Sequence, residues 1–190
     1  MGFMSQEQVN LMGFAQVGKN TKLSDKASYY NCRNIKIGNN VRIDDFCVIS
    51  AGDGGINIGN HVHIAIYASL IGSGNITASD FSGISSRVSI YSSNDDYSGA
   101  FLTGPTVPSE FTNVKHADVF IGRHVIIGAG SVVLPGVVLE DGVAIGALSL
   151  VTKRCEAFGI FSGVPAKRIK ERKKNLLEME KSFKMPRTER

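Results

Sequence analysis

From Ile121 to Ala157 the chain repeats itself every six residues: IGRHVI, IGAGSV, VLPGVV, LEDGVA, IGALSL, VTKRCE. An aliphatic residue opens each block (Ile121, Ile127, Val133, Leu139, Ile145, Val151), and glycine often follows (Gly122, Gly128, Gly146). A small or branched residue fills the fifth place (Val125, Ser131, Val137, Val143, Ser149, Cys155). An α-helix spaces its apolar residues by three to four and an isolated strand by two, so a period of six suits neither. It suits a coil of short straight segments joined by turns. The aliphatic and small positions then point into a shared core, and the glycines ease the corners. Three hexapeptides close one triangular coil, so the same corner should return every 18 residues, as at Ile121, Leu139 and Ala157.

The same rhythm runs upstream. Ile37, Ile43 and Ile49 open IGNNVR, IDDFCV and ISAGDG; Ile58, Ile64 and Leu70 open IGNHVH, IAIYAS and LIGSGN; Ala78, Ile84 and Ile90 open ASDFSG, ISSRVS and IYSSND. Two- and three-residue insertions separate these turns, giving about five coils, the last incomplete. An ordinary β-sandwich with glycine-rich turns would not hold a period of six in register.

The rest of the chain is read around this scaffold as one domain. Residues 1–34 are a short N-terminal helix, capped by Ser5 with Gln8 as reciprocal partner, followed by an irregular lead-in. Met4, Val9, Leu11 and Met12 give the helix an apolar side that should lid the first coil. Residues 35–160 are the coils, interrupted at 94–118 by a loop with Pro105, Pro108, Tyr97, Phe101 and Phe111. Long loops that break a regular scaffold are functional or disordered, and the aromatics argue against disorder. Residues 161–190 are a C-terminal helix and tail. Pro165 suits the first turn of that helix, and Ile169, Leu176, Leu177 and Phe183 form its apolar stripe.

Composition narrows the function. The net charge is +4, and six of the eight residues from Lys167 to Lys174 are basic. Nucleic-acid binding would need a broader patch interleaved with aromatics. No apolar run of 18 or more residues exists, so no membrane insertion is expected. The amino end lacks a basic start before a long apolar stretch, so no secretion signal is expected. Three cysteines, two of them (Cys47, Cys155) in inward slots, read as packing residues of a reduced, cytoplasmic protein.

These repeats, with the ending Gly163-Val164-Pro165-Ala166-Lys167, resemble those of the hexapeptide-repeat acyltransferases over roughly Ile35 to Lys170. The resemblance implies an all-β, left-handed parallel β-helix; the general crossover rule alone would favour the right hand. It also implies a homotrimer, acetyl-CoA as co-substrate, no metal, and a long loop that reaches a neighbouring subunit. Aligned by motif, Ala129 and Ala147 fall where relatives flank pantetheine. Thr152 and Lys153 fall on the pair contacting the nucleotide end of the cofactor. Lys167 and Lys170 fall where relatives carry basic residues near its phosphates. Relatives that acetylate sugar hydroxyls carry a His at the start of the loop, a general base for the attacking hydroxyl. Here Ser92-Ser93-Asn94-Asp95-Asp96-Tyr97 has none. The base candidates are therefore Asp95, Asp96, His63 and His116, with a His63–Asp96 pair across a subunit interface as one arrangement. His61 and His124, each fourth in its hexapeptide, read as outward and inert.

The run VSIYSSNDDYSGAFLTGPTVPSEF resembles the surface-polysaccharide branch of the family, which includes N-acetyltransferases of dTDP-4-amino-4,6-dideoxyglucose. A missing loop His favours an amine acceptor, which loses its proton to solvent more readily than a hydroxyl. The expected activity is thus acetyl transfer to a dTDP-4-amino-4,6-dideoxy sugar in O-antigen or surface-polysaccharide biosynthesis. O-acetylation of a galactoside or glycan is the alternative, and a non-catalytic trimeric scaffold the remote one. A hexapeptide-repeat carbonic anhydrase needs three converging histidines, and the spacings of His61, His63, His116 and His124 do not match.

Overall fold

A computed structural model describes residues 2–185. The chain winds into a three-sided parallel β-helix, one short strand per side per coil. The first face stacks Gln16–Val17, Ile35–Ile37, Ile56–Ile58, Ile76–Ala78, Val119–Ile121 and Val138–Leu139. The second stacks Lys22–Leu23, Arg42–Ile43, His63–Ile64, Gly83–Ile84, Ile126–Ile127 and Ala144–Ile145, then Gly159–Ser162. The third stacks Ser28–Tyr30, Val48–Ala51, Ser69–Gly72, Ser89–Tyr91, Val132–Val133 and Leu150–Val151. Six full coils result, and a partial seventh.

The register is the one the hexapeptides dictate. Ile37 lies against Ile58, Ile58 against Ala78, Ala78 against Ile121, and Ile121 against Leu139. Ile43, Ile64, Ile84, Ile127 and Ile145 make a second column, all buried. Fully burying one such side chain is worth about 1.5–3 kcal/mol. The fifth-place residues Val125, Ser131, Val137, Val143, Ser149 and Cys155 are buried too.

Several expectations need correction. The stretch expected to be an irregular lead-in contains a complete coil, with Val17 on Ile37, Leu23 on Ile43 and Tyr29 on Ile49. Its inward residues, Val17, Leu23 and Tyr29, keep the six-residue spacing, so the repeat extends one coil further toward the amino end than expected. The 18-residue return fails at its last step: Leu139 meets Cys155 rather than Ala157, which is exposed. And Pro165 does not start a helix. Val164-Pro165 is a cis bond in a turn, after which Lys167–Glu171 runs back as an antiparallel strand beside Gly159–Ser162. That strand closes the open edge of the second face with charged side chains, a device that discourages edge-to-edge pairing.

Glycine serves packing more than corner conformation. Positive φ at the corner between the first and second faces is carried by Asn20, Asn40, His61, Phe81 and His124. The second-place glycines have ordinary φ values and are needed for close approach instead. At Gly38, a Cβ would stand 2.6 Å from the Gly59 carbonyl oxygen.

Helix α1 (Gln6–Leu11) forms with the expected Ser5–Gln8 capping box and covers the first coil through Val9 and Met4, while Leu11 points outward. Helix α2 is confined to Leu176–Lys184, so Ile169 belongs to the preceding strand; the expected tail lies largely beyond the described residues. This helix lies on the first corner, where the rings of His61, Phe81 and His124 stack at 4.8 and 5.1 Å. Phe183 meets His61 and Phe81 edge-on. Glu180 takes a hydrogen bond from His124 Nε2 at 2.7 Å and ion-pairs with Arg123 and Lys184. His61 and His124 are therefore structural seats for this helix rather than idle surface groups.

Two outcomes follow. Gly38→Ala should cost about 1–3 kcal/mol, the scale of overpacking, read as a lowered urea midpoint; an unchanged midpoint would show that the coils can part. The Lys184 ammonium, with His124 and Arg123, pulls the Glu180 carboxyl down to about 2. A depressed carboxyl contributes stability above its unfolded value, near 4.3, and loses it as pH falls toward 2. The Met179 methyl resonance, sited among these rings, should accordingly shift toward its unpacked position across that window. Glu180→Gln should remove that acid transition.

Candidate active site

Side chains that point away from the core on the second face form an outward column. Register places Arg42, His63, Gly83, Ile126 and Ala144 one above the next. Directly after the strand at Arg42–Ile43, Asp44 turns toward this column and is buried. Its two oxygens are both engaged: Oδ2 lies 2.8 Å from His63 Nε2, and Oδ1 accepts from Arg42 Nε at 2.6 Å. Burial alone would raise the Asp44 carboxyl, but donation from Arg42 and His63 outweighs it and holds the group below its ordinary value. A carboxylate facing Nε2 selects the tautomer with the proton there, leaving Nδ1 of a neutral His63 as an acceptor.

His63 forms one wall of a cleft of about 250 Å³, with Gly83, Ser85, Ser86 and Ile126 around it. The floor is fixed by backbone bonds, Ser85 N–H to the Ile127 carbonyl and Gly130 N–H to the Ser86 carbonyl, both at 3.0 Å. The cleft thus lies one coil below the corner that carries Ala129. Ala129 and Ala147 are exposed there and joined by a 2.9 Å bond from Leu148 N–H to the Ala129 carbonyl. Because Gly128 has no Cβ, its coil approaches the Ala147 nitrogen closely. At Ala129 and Ala147 the corner therefore offers backbone and methyl groups, with Leu148 exposed beside them, a surface an extended ligand can lie against.

Lys167 and Lys170 are exposed on the returning strand, opposite Ser162 and Ile160, so they reach the same end of the second face. Thr152 and Lys153 are exposed as well, but follow Leu150–Val151 at the far edge of the third face. The six residues expected to hold the cofactor thus form two groups rather than one.

The long loop leaves at Ser93–Asn94 and returns at Lys115–His116, the two ends paired antiparallel. Across that neck His116 Nδ1 lies 2.7 Å from Ser93 Oγ. The loop start has no histidine in sequence, yet the fold brings one beside it. Asp95 and His116 line a cavity of about 650 Å³ between loop and coils, together with Ser50, Gly72, Pro105 and Thr112. Asp96 instead closes a turn, accepting from Ser98 Oγ at 2.8 Å and Gly99 N–H at 3.1 Å, and the Ser98 hydroxyl holds its carboxyl below the ordinary range.

Within one chain, then, the four base candidates separate. Asp95 and His116 share the loop cavity, Asp96 is held in its turn, and His63 faces the cleft on the second face with Asp44 as its carboxylate partner. Sequence reasoning missed Asp44, Ser85 and Ser86. The usable signal was the coil length: one turn here takes 20 or 21 residues, and Asp44 precedes His63 by 19.

The Bacterial transferase hexapeptide (six repeats) family matches residues 118–153. The dTDP-4-amino-4,6-dideoxy-D-glucose acyltransferase of Escherichia coli is 60% identical over 184 residues, covering 97% of this chain and 96% of that protein. AntD, an N-acyltransferase from Bacillus cereus, was solved with dTDP and coenzyme A as a variant of one aspartate; its 47% identical chain superimposes with a TM-score of 0.92 over 96% of this chain and 98% of its own. A complex of a serine variant of AntD with dTDP-4-amino-4,6-dideoxyglucose and coenzyme A also matches at 0.92, over 96% and 97%. With likeness of this extent on a left-handed parallel β-helix, the chain belongs to the hexapeptide-repeat acyltransferases.

Proposed function

We propose that the protein is a cytoplasmic homotrimer that transfers an acyl group, acetyl in the simplest case, from coenzyme A to the 4-amino group of a dTDP-4-amino-4,6-dideoxy sugar. The observation that carries this is 60% identity across nearly the whole of a relative named for that acceptor. The product, an N-acylated nucleotide sugar, suits surface-polysaccharide assembly. Among the described residues no helix is long and apolar enough to cross a membrane.

The corner at Ala129 and Ala147 fits the pantetheine arm, and Lys167 and Lys170 beside it suit the cofactor's phosphates. Thr152 and Lys153, at the other edge of the third face, suit a contact with the nucleotide end only if a neighbouring subunit brings the cofactor there. The thioester would then come to rest one coil lower, at Ser85 and Ser86. The free amine attacks the thioester carbonyl carbon, forming the C–N bond. The tetrahedral intermediate collapses with loss of the C–S bond, and the departing thiolate takes up the proton that the amine gives up. A base near the amine speeds this step.

The loop supplies that base from a neighbouring subunit. Tyr97, Phe101 and Phe111 stand 87%, 46% and 54% exposed on it, apolar surface that a trimer would cover. In the AntD variants the replaced serine and aspartate are ten residues apart. Here the same spacing joins Ser85 to Asp95 and Ser86 to Asp96, in support of one serine and one aspartate of these pairs serving the site. His63, oriented by Asp44, is a second base candidate on the cleft itself, and His116 a third at the loop neck.

Release of coenzyme A thiol from acetyl-CoA should be fast with dTDP-4-amino-4,6-dideoxyglucose and absent with a simple galactoside; the reverse pattern would establish O-acylation. Of Asp95→Asn and Asp96→Asn, one should lower kcat by about 10²-fold or more, the usual yield of a general base. If neither does, the loop carboxylates are structural. Asp44→Asn should leave CoA binding intact and abolish the single ring tautomer of His63 in nitrogen NMR spectra. A kcat that stays at the wild-type value in that variant would remove His63 from the chemistry.

A further inference from the structure

Gly83 has no conformational or packing reason to be glycine. The other described glycines either adopt positive φ or would place a Cβ within 2.9 Å of another atom. At Gly83, φ is ordinary and the nearest atom to a built Cβ is Ile126 Cγ1, at 4.0 Å. That is ordinary contact, so alanine would fit. A strand interior also disfavours glycine, which gives up more chain entropy than alanine on folding. The outward column nevertheless runs Arg42, His63, Gly83, Ile126, with the gap in the middle.

That gap opens the cleft of about 250 Å³ described above. Its walls are unlike one another. On one side stands His63, fixed by Asp44 at 2.8 Å. On the other is Ile126, 45% exposed, with Ala65, Ser85 and Ser86 completing the lining; Ile84 adds only backbone, its side chain being buried in the core. A liquid water takes about 30 Å³, so the cleft holds several non-hydrogen atoms, more than an acetyl group has. The serine residues and His63 beside the apolar Ile126 and Ala65 suit a thioester carbonyl with its alkyl chain.

We propose that the gap at Gly83 is the acyl pocket, that it receives the chain of the donor thioester, and that the absent side chain lets the enzyme use donors of about four carbons as well as acetyl. This rests on the acyl-CoA reading above and adds the residue that sets donor length. Chemically, the chain lies between His63 and Ile126 while the carbonyl stays at Ser85 and Ser86, within reach of the attacking amine. A side chain at position 83 would shorten the pocket from its middle without touching the pantetheine corner at Ala129 and Ala147.

The test uses stable thioethers, which bind without turning over: coenzyme A itself, S-ethyl-CoA and S-butyl-CoA, titrated calorimetrically into the wild type, Gly83→Ala and Gly83→Val. Gly83→Ala should fold, since its Cβ meets only Ile126 Cγ1 at 4.0 Å, and circular dichroism and coenzyme A binding check the fold of Gly83→Val. In Gly83→Val, S-butyl-CoA affinity should fall by about tenfold or more, the scale on which an apolar pocket resolves a methylene. Coenzyme A affinity should change by less than about twofold, and Gly83→Ala should lie between. Transfer from butyryl-CoA should fall relative to acetyl-CoA in the same order. An undiminished S-butyl-CoA affinity in Gly83→Val would overturn the assignment. So would an equal loss for coenzyme A, or a rise in acceptor KM with donor selectivity unchanged. If the wild type binds no coenzyme A, the donor reading itself fails, an outcome distinct from all of these.

Discussion

Everything in this molecule depends on coils holding their neighbours. Most strands are only two or three residues long, far too short to persist alone. Each is kept by backbone bonds to the coil above and below, and by inward columns such as Ile43, Ile64, Ile84, Ile127 and Ile145. A single coil cannot bury its own aliphatic side chains, so stability is a property of the stack. The two ends are the weak points. Helix α1 covers one with Val9, and the returning strand after Pro165 closes the other with charged residues.

The inward half of this design was legible, and the outward half largely was not. Inward residues repeat because the column requires it, so Ile37, Ile58, Ala78, Ile121 and Leu139 could be aligned from sequence and lie in that register. Legibility ended at the two ends of the stack. The first coil was read as irregular although Val17, Leu23 and Tyr29 hold the six-residue spacing, because only Val17 is followed by the glycine that marks many later blocks. The last coil, shortened between Leu139 and Cys155, broke the count. Pro165 was read by its commonest helical position, but the local chain is a turn into a strand, because the open edge of the second face needs a partner.

Site residues obey no such repeat, which is why they were read individually and only partly grouped. Ala129 and Ala147 were placed together because they share a hexapeptide position, and they do share a corner. Thr152 and Lys153 carried no positional link to that corner, and they lie elsewhere. His63 and Asp44 are linked only through one turn of the coil, His63 just before Ile64 and Asp44 just after Ile43, and alignment of the inward residues does not by itself say that two outward neighbours meet. Neither could the antiparallel neck that sets His116 beside Ser93 be read from the hexapeptide phase, since the loop abandons it.

A repetitive scaffold should have three equivalent corners, yet the corners differ in what they present. The difference lies in what occupies the left-handed corner positions. At the first corner they are His61, Phe81 and His124, whose stacked rings form a flat seat, and α2 covers it through Phe183 and Glu180. At the second they are Phe46, Tyr67 and Arg87 in the early coils, then Gly130 and Leu148 in the later ones. The early part is a ladder, Phe46 on Tyr67 at 5.1 Å and Arg87 over Tyr67 at 5.0 Å. The later part carries Ala129, Gly130 and Ala147, with Leu148 exposed beside them. The change from rings to these smaller groups falls at Ser85 and Ser86, beside the cleft that His63 and Gly83 shape. Under the proposed reading the corner carries both the surface for the cofactor and its reactive end within two adjacent coils, and a neighbouring subunit would supply the remaining wall.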